Sequence, residues 1–293
     1  MDTPSQLLQL LFTGLTLGSI YALIGLALVT TFNITGILNL AQGEFVTIGA
    51  LLAISLYATG LPLAAAFIIA VLLVATLGGV LERCAIQTAR QASALTLIII
   101  TLGLSIFLRG LALLVWGTET YSLPAFSEGG PLFIGGAAIT PQSFWIFGLT
   151  ALTLAGLYAF FELTYWGKAV KAAVLNRTAA RLMGINPNRL SLLAFLASGA
   201  LGAAAGIFIA PVTMTTYDMG FMLGVKGFVA AVIGGLNNIG GAVLGGILLG
   251  ILESFSAGLI SSGLKDAFAI IILIGVLLVR PQGIIGSLKE RKI

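Results

Sequence analysis

The chain has 293 residues, 59% of them hydrophobic and only 8% charged, with a formal net charge of +4. Soluble domains are about a quarter charged, so a chain this poor in charge must face lipid over most of its length. A single cysteine, Cys84, and no histidine exclude a disulfide framework and a Cys/His metal cluster, and they remove the commonest general base; neither a metal site nor a catalytic residue is expected.

A membrane span takes about 20 apolar residues in a helix. Residues 3–43 carry no charge. The first basic residue is Arg83, so the positive region of a cleavable signal is missing and the first apolar run is expected to stay as a span. Spans are expected at 8–30, 37–57 and 63–81, divided by Asn33, Ile34, Thr35 and Gly36 and then by Thr59, Gly60, Leu61 and Pro62. More are expected at 92–115, 142–163, 190–212, 239–258 and 264–280. Segment 222–236 is apolar but short, a tilted crossing or a re-entrant stretch. The fold class is therefore an all-α polytopic integral membrane protein, one transmembrane domain over 1–293, with a bundle of eight or nine helices.

Lysine and arginine set the orientation. The loop 164–189 holds Lys168, Lys171, Arg177, Arg181 and Arg189, the turn 82–91 holds Arg83 and Arg90, and the tail after Arg280 holds Lys289, Arg291 and Lys292; all three are expected in the cytoplasm. The loop 116–141 holds Glu119 and Glu128 and no basic residue, and is expected outside. The N-terminus then lies outside and the C-terminus inside. An even number of crossings between Arg189 and Pro281 favours counting 222–236, giving nine. The basic residues sit between apolar runs, which points to topology and lipid headgroups rather than to nucleic acid.

Three features carry candidate chemistry. In the first, Asn33, Asn39, Gln42, Gly43 and Glu44 sit at or inside the start of a span. Asn39, Gln42 and Gly43 are three and four residues apart and share a helix face; Glu44 points away from it. Polar groups at this depth are costly and face the bundle interior or an aqueous path, so these residues line a substrate path or else hydrogen-bond between helices, with Glu44 leaning to an ion pair. In the second, Gly234, Gly235, Asn237, Asn238, Gly240 and Gly241 break a helix, which makes either part of a transport site or a tight turn between close-packed helices. The pairs Gly14/Gly18, Gly202/Gly206, Gly241/Gly245 and Gly246/Gly250 are helix-packing signals. In the third, Asn176 can cap a short helix over Arg177, Thr178, Ala179, Ala180, Arg181, Leu182 and Met183, ended by a left-handed Gly184 with Pro187 preventing restart. Such a capped helix suits a docking surface, or a helix resting on anionic lipid. Elsewhere, Arg109 and Arg280 are expected to snorkel near span ends, Asp218 and Lys226 to lie toward the outer face, and Glu253 to pair with Lys226 or Lys265.

Taken as a set, the motifs resemble the permease subunits of branched-chain amino acid ABC importers, the LivH/LivM type. The residues that carry the resemblance are GLTLGSIYAL at 14–23, NLAQGEF at 39–45, GKAVKA at 167–172, NRTAARLMGI at 176–185 and KGFVAAVIGGL at 226–236, and the second of these is closer to LivH. The resemblance implies a complex with a second permease subunit (a paralogue), two ATPase subunits that bind ATP and magnesium, and an extracytoplasmic solute-binding protein, in the bacterial inner membrane. It also implies that 177–184 fits a cleft of an ATPase. Thr178 stands where an acidic residue is common and Gln42 where histidine is frequent, and importers of urea, short amides or small carboxylates share the pattern, so the solute stays open. No GxxxxGK[ST] motif occurs in the chain, so any ATP belongs to another chain and no cofactor to this one. An ATP-independent channel or ion-coupled transporter using Glu44 and Glu253 is the second reading. A membrane enzyme, the third, lacks a convergent nucleophile and base.

Overall fold

A computed structural model describes residues 3–89 and 92–285; Arg90, Lys289, Arg291 and Lys292 lie outside them. The bundle is built from α1 (Thr3–Thr35), α2 (Gln42–Ala58), α3 (Leu63–Leu81), α4 (Ala94–Trp116), α5 (Pro141–Leu163), α6 (Tyr165–Leu175), α7 (Arg177–Leu182), α8 (Pro187–Ile209), α9 (Met219–Gly234), α10 (Ile239–Leu259) and α11 (Lys265–Val279). A two-stranded hairpin, β1 (Leu132–Ile134) with β2 (Ala137–Ile139), precedes α5 and is antiparallel, with Phe133 opposite Ala138.

Among the described residues, seven helices are long and apolar enough to cross a bilayer: α1, α3 with its extension to Ile86, α4, α5, α8, α10, and α11 with the turn before it. The other two apolar helices, α2 and α9, have 17 and 16 residues. At about 1.5 Å per residue each falls short of the roughly 30 Å hydrocarbon core. The span expected over 37–57 is thus shorter than anticipated, and α1 is longer. Polar residues 30–35 do not end α1, because the Thr31 and Thr35 hydroxyls donate to the carbonyls of Ala27 and Thr31 one turn back. The helix stops at Gly36, which adopts φ 74°, and the true break is 36–41. The short late segment is one unbroken helix, α9.

Helices α1, α8 and α10 form the centre and α11 the rim: 78% of the most apolar window of α1 is buried, against 6% for α11. Close packing at the centre needs glycine. Gly14 and Gly18 of α1 meet Gly250 and Gly246 of α10, and a Cβ on Gly18 would lie 2.8 Å from the Ile247 Cα. Gly241 and Gly245 meet Gly234 and Ala230 of α9, and Gly206 of α8 meets the backbone of Val46 in α2. Each small-residue pair read from the sequence is a helix contact.

Connections alternate between two ends. One is basic and carries Arg83, Lys168, Lys171, Arg181 and Arg189. The other holds the hairpin, which is tied to α1 by Gln9: its Nε2 donates to the Ala138 carbonyl and its Oε1 accepts from the Ala138 N–H. Here the 117–131 loop folds inward. Tyr121 bridges to Thr215, and the Phe126 ring stacks on Phe208 at 4.7 Å with Phe67 edge-on to both.

Candidate functional site

The break 36–41 is wedged inside the bundle. The Leu40 N–H donates to Oγ1 of Thr101, two turns into α4. Asn39, 2% exposed, accepts the Ala41 N–H on its Oδ1, while its Nδ2 has no partner among the described residues. Gln42, 1% exposed, opens α2 at mid-depth: its Nε2 donates to the Ser198 carbonyl at 3.1 Å and its Oε1 accepts from the Ser198 hydroxyl. Ser198 is the middle of α8.

Successive helix residues point about 100° apart, so 42, 43 and 44 address three neighbours. Gln42 holds α8. Gly43 lies backbone to backbone on Gly220 of α9, where the Gly220 N–H also donates to Thr47. Glu44 turns to α4, and its Oε1 accepts from the Ser105 hydroxyl at 2.7 Å and from Arg109 Nη2 at 2.8 Å. Arg109 also sits 4.4 Å from the centre of the Phe221 ring. Glu44 therefore has the structural ion pair expected of it. Where a snorkelling side chain was expected, Arg109 turns inward: one turn beyond Ser105 on the same face of α4, it pairs with the buried Glu44 carboxylate.

The glycine break at 235–238 has a different character. Asn238 caps α10, its Oδ1 accepting from the Gly241 N–H. Asn237 is exposed on the turn, and Gly234 and Gly241 touch through their backbones. No hydrogen bond among the described residues joins Asn237 or Asn238 to Asn39 or Gln42. The geometry is that of a tight turn between packed helices. Asn33, half-buried near the end of α1, stands apart from both. Farther along, Lys226 of α9 donates to Glu253 of α10 at 2.7 Å and pairs with Asp266 of α11 at 2.7 Å. Of the two partners expected for Glu253, Lys226 is the one engaged. Asp266 joins unforeseen, brought in by the chain turn at 260–264.

A cavity of about 760 Å³ opens at the basic end. It reaches inward to Leu38 and Leu97 and its lining does not include Asn39 or Gln42; toward the hairpin end the Phe67, Phe126 and Phe208 rings pack together. Helix α7 stands at its rim and contributes Arg181 to the lining. As expected, Asn176 caps α7 by accepting the Ala179 N–H, and Gly184 ends it at φ 80°. Pro187 starts a helix rather than preventing one, because proline suits the first turn and Asn186 caps α8 there. Ala180 is 3% exposed and packs with Phe161, Val170, Ala173 and Leu190, so it belongs to the core. Leu182 and Met183, 84% and 80% exposed, and exposed Ala179 face outward. The side chains of Arg177 and Thr178 lie outside the described residues. Helix α6 escaped the sequence reading. Its signal was the apolar set Ala169, Val170 and Ala173, at one- and three-residue spacing, which forms its buried face.

The family model described as branched-chain amino acid transport system / permease component matches residues 10–277. The chain is 35% identical to the high-affinity branched-chain amino acid transport system permease protein LivH of Salmonella typhimurium, over 98% of this chain and 97% of that one. It is likewise 35% identical to the permease protein BraD of Pseudomonas aeruginosa, over 98% of each chain. Among solved structures it resembles PsaBC from Streptococcus pneumoniae in complex with Fab, with a TM-score of 0.50 and 15% identity, covering 94% of this chain and 92% of that one, a likeness of fold. The chain belongs to the permease family of branched-chain amino acid transport systems.

Proposed function

We propose that this chain is one permease half of an ATP-driven importer that passes a branched-chain or other small amino acid into the cytoplasm. An extracytoplasmic binding protein delivers the solute, a second permease subunit completes the path, and two ATPase subunits dock at the basic end and carry the ATP and magnesium. The N-terminus lies outside and the basic end inside, in the bacterial inner membrane. The observation that carries the reading is α7. It is a capped helix outside the bundle, rooted by Ala180 in the core and presenting two bare apolar side chains, Leu182 and Met183, away from it. Leu182 at the end of α7 and Met183 just past it are adjacent, and together with Arg181 they form a small apolar tip beside a cation that supports a docking role. A rigid root with an apolar tip suits transmission of a partner's movement to α8, which holds Gln42 through Ser198.

The test is uptake by the reconstituted assembly. Leu182→Glu with Met183→Glu is expected to leave the chain inserted and folded while reducing ATP-driven leucine uptake at least tenfold. Unchanged uptake would remove the coupling role from α7. The second reading, an ATP-independent transporter, draws only on Glu44 and Glu253. Each is already bonded to a basic side chain, which suits a fixed structural role better than an ion-carrying one.

A further inference from the structure

Glu82 lines the basic-end cavity and is 2% exposed. Its Oε2 is buried without a hydrogen-bond partner among the described residues. The other two buried bundle carboxylates are each held by a cation, Glu44 by Arg109 and Glu253 by Lys226; among the described residues Glu82 has none. A carboxylate taken out of water without a partner is costly. The local backbone is unusual as well. Residues Glu82–Ile86 form a π-helical turn at the end of α3, a feature concentrated at functional sites, and the Gln87 N–H donates to the Glu82 carbonyl at 2.7 Å.

The rest of the cavity suits one kind of occupant. Leu38, Leu97 and Ile98 form an apolar wall. Arg181, exposed and without an ion pair among the described residues, stands at the mouth. The volume is in the range of small-molecule sites, about 300–1,000 Å³. An anion, a cation and an aliphatic wall around one space are complementary to a zwitterion with an aliphatic side chain.

We propose that this cavity is a release station for the transported amino acid, with Glu82 receiving its α-ammonium group. The aliphatic side chain lies against Leu38, Leu97 and Ile98, and the carboxylate faces Arg181. The assignment rests on the amino-acid importer reading and names the recognition chemistry of its inner end. It places the station beside the polar break at Asn39 and Gln42, since Leu38 of the cavity wall adjoins Asn39.

The test uses the complete transporter in nanodiscs without binding protein. Saturation-transfer NMR reads three probes: L-leucine, 3-methylbutylamine, which lacks the carboxylate, and 4-methylpentanoate, which lacks the ammonium. Leucine and the amine are expected to bind and the acid to bind least. Glu82→Gln is expected to weaken leucine and the amine at least tenfold and to leave the acid unchanged, while Glu82→Asp restores most of the leucine signal. Leu97→Trp, which alters the apolar wall and leaves the carboxylate in place, is expected to weaken leucine binding at least tenfold, and it carries the test if Glu82→Gln fails to assemble. Equal binding of all three probes, or leucine binding indifferent to Glu82→Gln and Leu97→Trp, overturns the proposal. So does loss of the ATPase subunits from an otherwise intact Glu82→Gln complex, which would make Glu82 a docking residue for a partner's basic side chain. ATP-driven leucine uptake by the unaltered transporter separates the two levels. With uptake intact, these outcomes sink the release station alone; with no uptake of any amino acid, the importer reading itself falls.

Discussion

Replacing Arg109 by methionine leaves Glu44 buried with only the Ser105 hydroxyl as a donor. Removing one partner of a buried pair costs about 3–5 kcal/mol, and the lower end applies because the arginine side chain is 26% exposed and Ser105 remains. Replacing Glu44 by glutamine is milder. Arg109 keeps its place over Phe221, a contact worth about 1 kcal/mol, and part of its hydration, so a loss of about 1–2 kcal/mol follows from one weakened charged hydrogen bond. The double substitution removes the orphaned charge, and its cost should fall below that of Arg109→Met alone. Trp116 offers a local reporter, since its Nε1 donates to the Ser55 hydroxyl at 2.7 Å and so joins α4 to α2. Equilibrium unfolding in mixed detergent–SDS micelles, followed by tryptophan fluorescence, gives the three differences. The expected order is Arg109→Met worst, then the double, with Glu44→Gln close to it. Additive effects, or Glu44→Gln costing more than Arg109→Met, would refute the claim that this pair is a structural clamp whose buried member is the carboxylate.

Other outcomes follow from the same geometry. Gly18→Ala should lower the thermal midpoint by forcing α1 from α10, an overpacking cost of about 1–3 kcal/mol, whereas Gly103→Ala, inside α4 with nothing near its Cβ position, should leave the midpoint unchanged or raise it in the same scan. Lys226→Met strands Glu253 and should destabilise by about 3 kcal/mol; Lys226→Met with Glu253→Gln should recover part of this in the same unfolding assay. Gln42→Ala removes both bonds to Ser198 and should cost about 1–3 kcal/mol and reduce uptake. If stability falls and uptake stays normal, Gln42 is packing and not path.

Much of this bundle was legible because lipid makes apolar length a direct signal: the span expected over 63–81 coincides with α3. Local capping chemistry was equally legible at Asn176 and Gly184, where one residue suffices to start or end a helix. The sequence misled where polar residues satisfy themselves within a helix, as Thr31 and Thr35 do at the end of α1. It was silent where partners are distant. Arg109 was read as a lone charge because Glu44 lies 65 residues away, and Asp266 enters the Lys226 pair only through the turn before α11. Phe126 and the inward fold of its loop depend on Phe67 and Phe208, which no local pattern links. Nothing in the sequence singles out Glu82, since a buried carboxylate without a partner is visible only once its surroundings are.

The central claim, one permease half of an ATP-driven amino-acid importer, is tested most directly by uptake of radiolabelled leucine into proteoliposomes. The chain is reconstituted with its second permease, two ATPase subunits and the binding protein. Uptake is expected only when ATP is enclosed with the ATPases and the binding protein is outside, and to cease when any one is omitted. Uptake by this chain alone, without ATP and driven by an ion gradient, would contradict it.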